Sequence, residues 1–459
     1  MIFEQFYLGC LAQASYLIGS EGTAAIVDPQ RDVDIYLEAA RDRNLKIQYV
    51  IETHLHADFV SGHRELAERT GARIYIGKGS GASFPHVAAA EGDEIVFGQC
   101  RLRFLHTPGH TLESMCVLIT DLERRHEPWA VLTGDTLFIG DVGRPDLSDE
   151  RTPQELAGLL YDSLREKLLT LPDDVLVYPA HGAGSMCGRN ISADRSSTIG
   201  HERQFNYALQ PMSRDQFVHI MTDELPPRPE YFHRDVDLNR HGASTLAELP
   251  PVRSLSPTEA LQLQQSGAAI LDTRPAADFC AGHIPGSINV GLSGQFAAWA
   301  ASVLGLDRNI VLVVDEQAAV SEARQRLARV GIEHVAGYVE GGISGWVGSA
   351  LPIQMTHWIS VHDLDRELHN GALMSILDVR RPAEWETGHL PGAIHSPLDR
   401  LSSEVESVPR GRPLAVYCKS GYRSTIACSL LEAAGLSDLR NVIGGFDAWS
   451  GAGLPTVAG

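Results

Sequence analysis

The sequence predicts a multidomain α/β protein, on three observations. At 459 residues the chain is too long for one hydrophobic core and requires roughly two to four domains. Residues 1 to about 200 alternate short apolar strands with loops and helical stretches. The second half contains an internal repeat of about 100 residues, and each copy alternates strand with helix, the pattern of a small parallel-sheet domain.

Composition narrows the class. Hydrophobic residues make up 44% and charged residues 21%, ordinary for a globular protein. The formal net charge of −20 disfavours nucleic acid as a partner and argues against a nuclease. The seven cysteines (Cys10, Cys100, Cys116, Cys187, Cys280, Cys418 and Cys428) are odd in number and irregularly spaced, so no disulfide framework is expected and a reducing cytoplasm fits. Leu8-Gly9-Cys10 faintly resembles a lipoprotein box, but neither a basic nor an apolar region precedes it, so no signal peptide is expected. No run reaches the roughly 18 apolar residues of a membrane span.

In the first part, Tyr16 to Ile18 and Ala24 to Val27 read as paired strands, Val33 to Arg43 as a helix, and Ile47 to Glu52 as a strand running into a histidine-rich loop. Residues 201 to about 252, with the proline-rich stretch at 225–229 and Pro250-Pro251, read as an irregular tail and linker. The repeat then begins. Leu271-Asp272-Thr273-Arg274 and Gly282-His283-Ile284-Pro285-Gly286 return as Leu377-Asp378-Val379-Arg380 and Gly388-His389-Leu390-Pro391-Gly392, offset by 106 residues. Gly341-Gly342 with Trp346 returns as Gly444-Gly445 with Trp449, offset by 103. The expected domains are 1–252, 253–356 and 357–459.

Four segments of the first domain point to a metal. They are His54-x-His56-x-Asp58, Thr107-Pro108-Gly109-His110, Thr133-Gly134-Asp135-Thr136 and Tyr178-Pro179-Ala180-His181. Each ends an apolar stretch, so each presents imidazole or carboxylate, the usual ligands of zinc or iron, at a loop. Phe59 follows Asp58 where a two-metal site of this pattern would place another histidine, which points to one metal. His63, a little further on, is the alternative donor for that place.

These motifs resemble those of the metallo-β-lactamase superfamily over about residues 1–240, which implies an αββα sandwich with its metal at the sandwich edge. Within the superfamily, T-H-x-H-A-D at residues 53–58, T-P-G-H-T at 107–111 and Gly143-Arg144-Pro145-Asp146 are similar to the persulfide dioxygenase branch. The resemblance implies His54, His110 and Asp135 as ligands. Two histidines and a carboxylate leave positions open, as in non-haem iron(II) oxygenases. His56, Asp58 and His181 would then stand behind the ligands and orient them. Arg144 is a candidate partner for a substrate carboxylate. Cys187, in a glycine-rich loop after His181, is either a buried thiol or one that meets the substrate sulfur.

The last domain carries a second chemistry. Val416-Tyr417-Cys418 reads as a strand ending in cysteine, followed by Lys419-Ser420-Gly421-Tyr422-Arg423-Ser424 and a helix from about Thr425 to Ala434. A helix N-terminus, two cations and successive loop amides favour an anionic sulfur. This resembles the active loop of a rhodanese, with Cys418 as nucleophile, Lys419 and Arg423 as cations, and Ser420, Gly421 and Tyr422 lining the substrate site. A cysteine phosphatase would place five residues between cysteine and arginine, whereas four stand here. Aligned at the offset of 103, Cys418 falls on Asp315 and Arg423 on Val320, so the first copy reads as an inactive rhodanese domain.

The resemblances imply a fusion. An Fe(II) persulfide dioxygenase, with one iron per chain and no organic cofactor, oxidises a thiol persulfide (of glutathione, coenzyme A, bacillithiol or cysteine) with O₂ to sulfite. A rhodanese sulfurtransferase then forms or uses thiosulfate. A cytoplasmic homo-oligomer with no membrane or nucleic-acid partner is expected. A zinc thioesterase of the glyoxalase II type and a non-catalytic sulfur relay are the alternative readings.

Overall fold

In a computed structural model, which describes residues 1–148, 150–223, 225 and 228–458, the first unit (Met1–Leu249 with Ala328–Gly331) is built on two six-stranded sheets. The first sheet runs in chain order through Ile2–Leu8, Gln13–Ser20, Thr23–Val27, Lys46–Glu52, Arg73–Gly77 and Val87–Ala89. Its first three strands are antiparallel and the rest parallel. The second sheet is ordered Ser197–Thr198, Leu176–Pro179, Ala130–Gly134, Met115–Asp121, Cys100–His106, Glu94–Phe97. The expected pairing of Tyr16–Ile18 with Ala24–Val27 is present, with Tyr16 opposite Val27 and Ile18 opposite Ala25.

The alternation of side chains decides which face meets which layer. Tyr16, Ile18, Val27 and Ile51 face Phe104, Val117, Ile119 and Leu132 of the other sheet and form the inner core. Leu17, Ile26 and Val50 point the other way and are covered by Tyr36 and Ala40 of the helix Asp34–Asp42 and Leu66 of the helix His63–Thr70. The outer face of the second sheet, with Leu118, Val131 and Val177, is covered by Leu160 and Leu164 of the helix Pro153–Glu166. That helix starts at a capping box of Thr152 and Glu155 with Pro153 in its first turn, so its free N–H groups are satisfied where the strand-like backbone ends. The result is the expected αββα sandwich.

The expected irregular tail is instead helical. Residues 199–241 contain the helices Ile199–Phe205, Arg214–Thr222 and Tyr231–His241. Phe217 and Met221, four residues apart, form an apolar face that packs on the helix Pro153–Glu166 side of the core. Ser213 and Gln216 cap it. Pro226 and Pro227 of the proline-rich stretch lie outside the described residues.

The second unit (Pro250–Leu327 with Ile332–Gly459) holds two five-stranded, all-parallel sheets of the same strand order. One is Arg253–Leu255, Val335–Val339, Ile310–Val313, Ala269–Asp272, Ile288–Asn289; the other is His357–Ile359, Leu439–Val442, Leu414–Tyr417, Ser375–Asp378, Ile394–His395. The repeated motifs are mostly structural. Arg274 forks onto Asp272 and donates to the Gly282 carbonyl at 2.8 Å; Arg380 does the same with Asp378 and the Gly388 carbonyl at 2.7 Å. Both pairs are buried, so removing one partner would strand the other charge at a cost of roughly 3–5 kcal/mol. Trp346 and Trp449 are buried and donate to the carbonyls of Pro352 and Pro455, each at 2.8 Å, which explains the Leu-Pro pairs that close each copy. Among the described residues no helix is long and apolar enough to cross a membrane.

Candidate metal centre and sulfur-transfer loop

The four metal-type segments converge at one edge of the sandwich because each leaves the end of a strand. His54 follows Lys46–Glu52, His110 follows Cys100–His106, Asp135 follows Ala130–Gly134, and His181 follows Leu176–Pro179. His54 Nε2 and His110 Nε2 lie 3.8 and 3.4 Å from Asp135 Oδ2. These three atoms are buried and make no hydrogen bond. Three buried polar atoms left bare and aimed at one another would be costly in a site meant to stay empty. They are the atoms a metal would take, and His54, His110 and Asp135 form a candidate ligand set within 4.8 Å.

The tautomers agree. The Thr53 hydroxyl donates to Asp28 Oδ2 at 2.9 Å, so its lone pair is free to accept the proton of His54 Nδ1 at 3.0 Å. His110 Nδ1 donates to the Arg144 carbonyl at 2.9 Å. Each Nε2 therefore presents a lone pair. Burial pushes both imidazoles below their ordinary range, which keeps them neutral. Burial opposes the charge of Asp135, yet His181 and His54 outweigh it and hold the carboxyl far below the usual range.

Around this set, His181 bridges two carboxylates, with Nδ1 2.8 Å from Asp135 Oδ1 and Nε2 2.9 Å from Asp58 Oδ2. His56 turns to a different pair, its Nε2 lying 3.2 Å from Asp28 and 3.5 Å from Glu52. Burial pushes Glu52 up to about 8. Phe59 is buried, its ring 4.3 Å from that of His56 and 6.3 Å from that of His181. His63 lies 3.6 Å from Glu52 and against Phe84, so it does not replace the missing histidine.

Two expected substrate contacts are placed differently from each other. Arg144 is buried and already forks onto Asp146 at 2.7 and 2.9 Å. Its backbone N–H donates to the Cys187 carbonyl, and so the Gly143-Arg144 loop and the Cys187 loop are tied together. Cys187 is buried beside Asp58 and His181, each offering a ligand-type atom within 4.8 Å of the others. Burial, with Asp58 and Asp135 nearby, pushes its thiol well above the ordinary range, so it rests protonated. Asp141, not singled out from the sequence, accepts from the backbone N–H groups of Arg189 and Asn190 at 2.6 and 2.7 Å and from the Tyr207 hydroxyl at 2.9 Å. It pins the far end of the Cys187 loop. An isolated aspartate in a loop gave no signal of this.

In the second unit Cys418 is buried at the end of the strand Leu414–Tyr417, and the Gly421 N–H donates to its sulfur at 3.1 Å. The following helix begins earlier than expected, at Tyr422, so Arg423 lies in its first turn. Gly421 precedes it with φ 112°, a conformation that suits glycine. Lys419 and Ser420 are exposed. Arg423 is held by Glu384, which accepts two hydrogen bonds at 2.6 and 2.8 Å. Glu384 was missed from the sequence, although it lies in the repeated segment before Gly388-His389. Gly445 has a role that the repeat concealed: φ is 54°, and a Cβ there would stand 2.3 Å from the Cys418 carbonyl.

The strand register corrects the alignment of the two copies. Asp272 pairs with Val313, and Asp378 pairs with Tyr417. Cys418 thus corresponds to Val314, not Asp315, and Arg423 to Ala319, not Val320. The one-residue difference from the glycine pair is absorbed after the helix. The first copy still lacks nucleophile and cation at these positions, and Asp315 corresponds to Lys419.

Comparisons with known proteins identify both kinds of domain. The family profile "Metallo-beta-lactamase superfamily" matches residues 8–181, and "Rhodanese-like domain" matches 256–349 and 360–452. The human "Persulfide dioxygenase ETHE1, mitochondrial" is 32% identical over 254 residues, covering 53% of this chain and 90% of the relative. A hydroxyacylglutathione hydrolase of Francisella philomiragia is 30% identical over 177 residues, covering 38% of this chain and 65% of the relative. The crystal structure of a metallo-beta-lactamase from Staphylococcus aureus subsp. aureus COL superposes with a TM-score of 0.66 at 33% identity, covering 74% of this chain and 98% of that one. The chain belongs to the metallo-beta-lactamase superfamily, is homologous to the ETHE1 persulfide dioxygenases over its N-terminal half, and carries two rhodanese-like domains in its C-terminal part.

Proposed function

We propose that the protein is a persulfide dioxygenase fused to a sulfurtransferase, with domains bounded near residues 252 and 356. The observation that supports it most is the trio of bare, buried atoms on His54, His110 and Asp135, next to a phenylalanine where a second metal would need a histidine. Those residues fit a single Fe(II), which would supply O₂ activation at its open positions. The chain's own part is to keep both imidazoles neutral through Thr53 and the Arg144 carbonyl, and to hold Asp135 anionic between His181 and the ligands. In the balanced reaction a thiol persulfide, O₂ and water give thiol, sulfite and two protons.

Cys418 then joins the sulfite product to sulfur from a second persulfide. Its thiolate takes the outer sulfur of a persulfide, breaking that S–S bond and releasing thiol. Sulfite attacks the sulfur now on Cys418, thiosulfate leaves, and the thiolate returns. The Gly421 N–H and the positive end of the helix Tyr422–Ala433 stabilise the anionic sulfur. The role that follows is persulfide detoxification or assimilation in the cytoplasm.

Asp135→Ala tests the ligand set directly. Iron content of anaerobically purified protein should fall by about tenfold or more, because one of three ligands is lost. Iron retained at full occupancy would overturn the assignment. A two-zinc thioesterase would use Asp58 and His181 for its second ion; two zincs per chain would favour it.

A further inference from the structure

The helix that carries the Cys418 loop leans on the inactive rhodanese copy at three points. At its start, the Tyr422 hydroxyl donates to the Gly291 carbonyl at 2.8 Å. In its middle, Ser429 accepts from the Asn289 N–H at 3.0 Å. Near its end, Glu432 lies 3.1 Å from His283 Nε2 and accepts from the Thr356 hydroxyl at 2.8 Å. Residues 422, 429 and 432 are spaced by seven and three, which places them on one face of an α-helix. Ser429, Asn289 and His283 are all buried, so these contacts are shielded from water.

The first contact is the one nearest the chemistry. Tyr422 directly follows Gly421, whose N–H reaches the Cys418 sulfur. Gly421 adopts φ 112° and has no side chain to hold it, so the orientation of that N–H depends on its neighbours. On the inactive copy the acceptor is itself braced. Arg326 donates to the carbonyls of Leu292 and Gly294, within the segment 291–294 that faces Tyr422. The segment lies against the tyrosine itself: a Cβ at Gly291 or Gly294 would stand 3.6–3.8 Å from the Tyr422 ring, ordinary contact distance.

We propose that the inactive rhodanese domain acts on sulfur transfer through Tyr422, a positioning residue whose hydroxyl, held by the Gly291 carbonyl, keeps the Gly421 N–H aimed at the Cys418 sulfur. The inactive copy has lost its own nucleophile and become part of the support of the other's. This rests on Cys418 being the sulfur-carrying residue proposed above.

Tyr422→Phe in the full chain is the test, since it removes one hydroxyl and keeps the ring. Two readings are taken: thiosulfate-to-cyanide sulfur transfer, and alkylation of Cys418 by iodoacetamide at fixed pH, followed by peptide mass. Loss of one hydrogen bond should lower kcat and the alkylation rate about twofold to tenfold, with the KM for thiosulfate within about twofold. Ser429→Ala, on the same face but away from the loop, should lower both in the same direction and by less. Wild-type kcat and alkylation in Tyr422→Phe would overturn the proposal, as would a rise in KM alone, which would make Tyr422 a substrate contact. If the wild-type protein transfers no sulfur, the function proposed for Cys418 fails, while alkylation still reads the tether.

Discussion

The two rhodanese-like copies share strand order, the buried Asp–Arg fork and the tryptophan that closes each domain, yet only one carries a cysteine loop of the kind proposed to transfer sulfur. In the second copy the strand Leu414–Tyr417 delivers Cys418, then a glycine that donates to its sulfur, then an arginine gripped by Glu384. In the first copy the equivalent strand Ile310–Val313 delivers a buried valine, Val314, followed by two acids. The lesson is that scaffold and loop separate within one chain. The Asp–Arg fork and the tryptophan anchor hold each domain together and are present in both copies, whereas the cysteine, its glycine donor and the arginine are present in one.

The largest effect belongs to the nucleophile. Cys418→Ser should abolish the mass gain of one sulfur on incubation with thiosulfate, and should leave iron content and O₂ uptake in place. Loss of O₂ uptake as well would show that the two chemistries are not separate. Gly445→Ala and Gly342→Ala sharpen the comparison, because both glycines sit under the loop with positive φ and each would drive a Cβ to within 2.3 and 2.6 Å of a backbone carbonyl. Each should cost about 1–3 kcal/mol in denaturant unfolding. Only Gly445→Ala should also reduce sulfur transfer, by about tenfold or more; equal losses of transfer would mean that the two loops are not independent. A smaller effect is expected at Glu384. Glu384→Gln keeps one hydrogen bond to Arg423 but loses the ion pair, and should change kcat/KM for thiosulfate by about threefold to tenfold. No change would mean that Arg423 does not need its partner.

Much of the fold was legible because its signals are periodic. Alternating strands and the 106-residue offset of the Asp-x-Arg motif need no tertiary information. The helices of residues 199–241 were missed because they are short and flanked by proline-rich sequence, so their apolar faces span too few turns to show a period. At the candidate metal centre, residue types and order marked four segments, the resemblance to persulfide dioxygenases implied His54, His110 and Asp135 as the set, and the structure brings these three together. What the sequence could not show is the pairing of charges across loops. Arg144 was expected as a partner for a substrate carboxylate and is forked onto Asp146; Arg423 was expected as a cation favouring the Cys418 thiolate and is held by Glu384. The inactive copy's alignment was off by one residue because the glycine pair, a strong marker, lies beyond the helix where the length difference is absorbed.

The central claim is that a single iron held by His54, His110 and Asp135 oxidises a thiol persulfide. The most direct measurement is O₂ uptake by iron-loaded protein across glutathione, coenzyme A, bacillithiol and cysteine persulfides, with sulfite and thiosulfate determined in the same samples. The account predicts uptake with at least one carrier, sulfite as the product of the Cys418→Ser protein, and thiosulfate in addition from the wild type. No O₂ uptake with any carrier, together with hydrolysis of a glutathione thioester, would contradict it.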